Sequence, residues 1–72
     1  MSWTKDVYSS MVSRVGWDSE TKEVLVTWAK SGKTSAYAGF DEATAVALSV
    51  APSVGQMVIT EIKSSGKPHR YV

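Results

Sequence analysis

The run Glu23-Val24-Leu25-Val26-Thr27-Trp28-Ala29 constrains the fold most, because β-branched and aromatic residues crowd it and neither glycine nor proline interrupts it. It reads as a strand. Behind it, Lys30-Ser31-Gly32-Lys33 is a tight reversal in which Gly32 can take a positive φ, and Thr34 to Phe40 reads as the returning strand. Ahead of it, Met11 to Trp17 is β-compatible and ends in the polar run Asp18 to Lys22. Two short connections imply two successive hairpins, hence a three-stranded antiparallel meander.

The pattern changes after Phe40. Asp41 has the chemistry of a helix N-cap, and Glu42 to Val50 is alanine-rich, with Ala43, Val46, Ala47 and Val50 on one face at helical spacing. Pro52 stops that helix. Ser53 and Gln56 have the spacing of a capping box, so a second helix is expected to begin there. The stretch 57–63 fits either state. Val58, Ile59, Thr60 and Ile62 are β-branched, yet Val54, Val58 and Ile62 recur every four residues, which favours helix. Gly66 is the expected stop. The fold class is thus α+β, a β-meander followed by one or two helices packed on one face. A chain of 72 residues holds one domain over 1–72. Residues 1–7 read as a loose lead-in and 67–72 as an extended basic tail.

Composition narrows the function classes. The absence of cysteine excludes disulfides and thiolate metal sites, and the absence of asparagine excludes N-glycosylation. No apolar run approaches the ~18 residues of a membrane span, and the first residues lack the apolar core of a signal peptide. A soluble, cytoplasmic protein is the expectation. A core this small gives only about 3–5 kcal/mol, so monomer and homodimer both stay open. Net charge is only +1, but no acidic residue follows Glu61, while Lys63, Lys67, His69 and Arg70 lie close together. That tail is either solvated or contacts an anion.

Little here resembles catalytic machinery. His69 is the sole histidine, in a polar segment with no carboxylate after Glu61 to complete a metal site. No serine sits in a nucleophile elbow. Gly32-Lys33-Thr34 imitates the end of a phosphate-binding loop, but the glycine needed earlier is Thr27 and the segment joins strand to strand. Neither an enzyme nor a cofactor is expected.

Binding is better supported. Suppose the first hairpin pairs Trp17 with Glu23, Val12 with Trp28 and Arg14 with Val26, and the second pairs Trp28 with Ser35 and Val26 with Tyr37. Strict alternation then puts Met11, Val15, Trp17, Leu25, Ala36, Ala38 and Phe40 on one face, suited to the helix. Val12, Arg14, Val24, Val26, Trp28, Ser35 and Tyr37 fall on the other, with Gly16 and Gly39 at one end. Trp28, Tyr37 and Arg14 there could stack and pair with a nucleic acid, helped by Lys30 and Lys33 at the hairpin tip and by Lys63, Lys67 and Arg70. If a helix or a second copy covers that face, the same rings are core or dimer interface.

The order of Val7-Tyr8-Ser9-Ser10, Val15-Gly16-Trp17-Asp18, the strand–Gly32–strand unit, Tyr37-Ala38-Gly39-Phe40, Ser53-Val54-Gly55 and Ile62-Lys63 resembles the KTSC domain. This is a short module found at the end of some bacterial lysyl-tRNA synthetases and as free-standing small proteins. The resemblance spans Val7 to Val72. The family that the chain resembles has no established activity, and RNA is the ligand suggested for it. The family's Tyr-x-Tyr hallmark is half kept, Tyr37 matching the second tyrosine and Ser35 standing at the first. After Ser-x-Gly, where the family carries an aromatic pair and an asparagine, this chain has Met57, Val58 and Ile59. The expected function is a non-enzymatic module binding RNA or another nucleotide-bearing anion. The alternative is a protein–protein module, for instance a phage-encoded modulator of a host enzyme, with the aromatics as hot spots.

Overall fold

The computed structural model describes residues 2–72. Strands β1 (Trp3–Asp6), β2 (Val12–Asp18), β3 (Glu23–Trp28), β4 (Thr34–Ala38) and β5 (His69–Tyr71) make one antiparallel sheet in chain order. Between β4 and β5 lie α1 (Glu42–Ser49) and α2 (Val54–Met57), and α2 runs on into a π-helical turn, Val58–Ile62, and a 3-10 turn, Lys63–Ser65. The α+β class and the central meander are as the sequence implied. The sheet has five strands rather than three.

Both extra strands come from segments read as loose. The lead-in expected over 1–7, of which Met1 lies outside the described residues, contains β1, paired with β2 from Trp3↔Trp17 to Asp6↔Arg14. The basic tail contains β5, paired with β4 through Ser35↔Tyr71, Ala36↔Arg70 and Tyr37↔His69. Flanking main-chain bonds extend that pairing, from Ala38 N–H to Pro68 O and from Val72 N–H to Thr34 O, each 3.0 Å.

The register departs from strict alternation at one point. Val12 pairs with Trp28, but Arg14 pairs with Thr27, so Ser13 is an extra residue in β2. A bulge flips every later residue of the strand to the opposite face. Val15 and Trp17 therefore join Val12, Val24, Val26 and Tyr37 beneath the helices, where all six are buried. The second hairpin is shifted by two residues from expectation, pairing Val26 with Ser35 and Val24 with Tyr37, which leaves its faces unchanged.

The helices accordingly cover the face expected to be open. Ala45, Leu48, Val54, Val58 and Ile62 pack on the six sheet residues as one core. Full burial of a side chain such as Leu48 or Ile62 is worth about 1.5–3 kcal/mol. The cap of α1 is as expected: the Asp41 carboxylate accepts from the Thr44 hydroxyl at 2.8 Å and its backbone N–H at 3.1 Å. These bonds, the hydroxyl's foremost, hold the Asp41 carboxyl below its usual range. The buried face of α1 is Ala45 and Leu48, whereas Ala43, Val46 and Val50, expected to face the core, are exposed. A helix apolar around most of its circumference gives periodicity nothing to choose by, and the largest side chain, Leu48, decides.

The helix after Pro52 begins where the capping-box spacing placed it, but the Ser53 side chain makes no capping bond. Val54, Val58 and Ile62 are all buried, as the four-residue repeat implied, and the segment ends at Gly66 in the left-handed region. Side-chain hydroxyls bond back to carbonyls along its π-helical and 3-10 turns. The Thr60 hydroxyl donates to Gln56 O (3.0 Å), and the Ser64 hydroxyl to Thr60 O (2.5 Å), competing with the backbone ladder.

Candidate ligand-binding groove

The helices leave one end of their sheet face uncovered, and an open groove of about 530 Å³ lies there. Ser35 and Tyr37 of β4, both buried, form its floor. Trp28 of β3 lies against them, donating its indole Nε1–H to Ser35 Oγ at 2.9 Å. His69 and Tyr71 line it from β5, and Lys63, Gly66 and Lys67 from the end of the helical segment. Met11 and Ser31 complete the lining. A second depression of about 500 Å³ shares Met11 and Trp28 and reaches Lys30.

Aromatic contacts order the rings. His69 stacks on Tyr37 with centroids 5.2 Å apart, and Tyr71 meets His69 edge-on at 6.4 Å. Burial, and secondarily the neighbouring Tyr71, push the Tyr37 phenol above its ordinary value, so it stays a protonated donor. The Lys63 ammonium stands 5.6 Å from the Trp28 ring centre and the Lys33 ammonium 5.7 Å from that of Tyr71, both within cation–π range. Lys67 is occupied differently: its Nζ donates to Gly39 O at 2.6 Å and sits 4.2 Å from the Phe40 ring. No carboxylate is among the lining residues. Among the described residues no three His, Asp or Glu side chains cluster to hold a metal.

Six of the eight residues singled out from the sequence gather here. Trp28, Tyr37, Lys63 and Lys67 line the groove, Lys33 stands over its Tyr71 rim, and Lys30 borders the adjoining depression. They do so on the helix side of the sheet, not on a bare sheet face. Arg14 and Arg70 belong to the opposite face. Arg14 was expected beside Trp28, but the bulge sends it across the sheet, where its Nε meets Asp6 Oδ1 at 2.8 Å. Arg70 alternates with His69 and Tyr71 on β5, and its Nε and Nη2 donate to Glu23 Oε2 (3.2 Å) and Oε1 (2.8 Å). Those bonds, with a Thr21 hydroxyl bond second, hold the buried Glu23 carboxyl below its usual range.

The sequence reading missed Tyr71 as a site residue and weighed His69 as a basic-tail, metal-ligating or catalytic group, not as an aromatic ring of the site. The signal available was a two-residue spacing, His69-Arg70-Tyr71 after Pro68, which puts both rings on one face of any strand.

The comparisons with known proteins agree with this architecture. The KTSC domain model matches residues 8–65, a span that excludes β1 and β5. The fold is similar to the crystal structure of the KTSC domain protein YPO2434 from Yersinia pestis, with a TM-score of 0.83 at 22% identity, covering 100% of this chain and 99% of that one. No curated protein matches the chain. A family match over most of the length, together with the shared fold, places this chain in the KTSC domain family.

Proposed function

We propose that the chain is a non-enzymatic binding module whose groove takes a nucleotide-bearing anion such as single-stranded RNA. One observation carries this reading: the groove joins aromatic rings to ammonium groups, Trp28 with Lys63 and Tyr71 with Lys33, and has no carboxylate in its lining. Bases stack on such rings and phosphates pair with such cations. His69 stacks on a tyrosine and has no carboxylate beside it in the groove, which fits a packing role better than proton transfer.

Salt dependence tests the reading. Hexauridylate binding, followed by fluorescence anisotropy, should weaken as salt rises, by about 0.7 in the log–log slope per phosphate neutralised on a single strand. Lys63→Ala should lower that slope, while Arg14→Ala on the far face should not. Salt-independent binding, or equal effects of the two changes, would overturn it. If no binding occurs even at low salt, a protein partner becomes the better hypothesis.

A further inference from the structure

Two features of the groove limit how much ligand it can engage. The first is the supply of cations. Lys67 is committed to Gly39 O and the Phe40 ring, and Arg14 and Arg70 are paired with carboxylates on the opposite face. Of the ammonium groups lining the groove, Lys63 alone makes neither a salt bridge nor a hydrogen bond to the protein among the described residues. Lys33 stands at the Tyr71 rim and Lys30 beyond Trp28, so no unbroken basic track runs along the sheet. Proteins that follow a strand over many nucleotides use such a track.

The second feature is the state of the rings. The Trp28 indole N–H is consumed by Ser35, so Trp28 offers a ring and no donor. Tyr37 is buried beneath His69, whereas Tyr71 is 64% exposed. The accessible ring surface is therefore that of Trp28 and of the exposed pair His69 and Tyr71, which meet edge-on and so make one corner rather than two parallel platforms, in a space of about 530 Å³, within the ~300–1,000 Å³ typical of small-ligand sites.

We infer that the groove is a one-nucleotide site, taking a single base against Trp28 and Tyr71 and a single phosphate on Lys63, without tracking a longer strand. This rests on the nucleotide reading above and adds ligand size and stoichiometry to it. Because the indole donor is already used, recognition of the base is by stacking and tolerates different bases.

The test is a titration of the full chain with adenosine 5′-monophosphate, hexaadenylate and ribose 5-phosphate at low and high salt, read by NMR. The monophosphate and the hexamer should bind equally well per nucleotide, the hexamer with a salt slope of about one phosphate, near 0.7, and the monophosphate with one no steeper. Both should shift the Trp28 indole N–H. Ribose 5-phosphate, lacking the base, should bind about tenfold more weakly or worse, the worth of one base–aromatic stack. A hexamer that binds far more tightly per nucleotide, with a slope of several phosphates, overturns the one-nucleotide site but leaves the nucleotide reading intact. Equal affinity for ribose 5-phosphate and the monophosphate overturns the role given to the rings. Silence with all three ligands overturns both readings.

Discussion

A Cβ on Gly16 would lie 2.5 Å from the Trp3 carbonyl oxygen and 2.9 Å from Thr4 Cγ2, so β1 can approach β2 only because position 16 has no side chain. Gly16→Val should therefore push β1 away and destabilise the domain by about 1–3 kcal/mol, a large share of what a core this small supplies. A thermal melt with the Trp3 indole as reporter checks this, since its Nε1–H donates to Glu42 Oε2 at 2.9 Å and should lose that partner. Gly32, at φ 73°, has open space around it, so Gly32→Val should be penalised for backbone strain alone, by about 1–2 kcal/mol. An unchanged melting temperature would refute that reading of the turn. Gly32 was legible in the sequence because a short reversal between strands asks for such a residue. The fates of Arg14 and Arg70 were not, because whether a guanidinium meets a ligand or a carboxylate depends on the face it occupies.

At the scale of elements, what the sequence revealed follows the density of apolar side chains. Strands β2, β3 and β4 bury valines and aromatics and stood out from their surroundings. The edge strands did not: three of four residues in β1 and all three in β5 are exposed, leaving no alternation to read. Their evidence lies in main-chain pairing, which the sequence does not display. The bulge at Ser13 is hidden for a related reason, since only the odd spacing from Val12 to Val15, both buried, betrays it. This one residue reversed the assignment of Val15 and Trp17 and with it the choice of the open face. The orientation of α1 gives a direct check. Leu48→Ala should cost about 2–5 kcal/mol, enough to leave much of the chain unfolded, while Val46→Ala should stay within about 0.5 kcal/mol. Denaturant melts giving the reverse order would restore the face that helical spacing suggested.

For the whole molecule, the sheet and helices enclose one core, and the groove is what they leave uncovered where β5 meets the end of the helical segment. The strand β5 supplies His69 and Tyr71 to the groove while Arg70, between them, ties it to Glu23 on the other side. That tie makes stability depend on acid. A carboxyl whose folded pKa lies below its unfolded value adds stability above the unfolded pKa, and that stability is lost as pH falls through the folded one. For Glu23 the loss should begin near its ordinary value of 4.5 and continue below it. Glu23→Gln should be less stable at pH 7 and show a shallower decline in acid, as followed by melting temperature against pH. Asp18 and Asp41 are shifted in the same direction, so the decline should shrink rather than vanish. The central claim is that ligand contact occurs on the helix side of the sheet, in the groove. The most direct measurement is an NMR chemical-shift map of the chain with single-stranded RNA at low salt, repeated at high salt. The account predicts shifts confined to Trp28, Tyr37, Lys63, His69 and Tyr71 that vanish with salt. Shifts centred on Arg14 and Glu23 of the opposite face, or a spectrum unchanged by RNA, would contradict it.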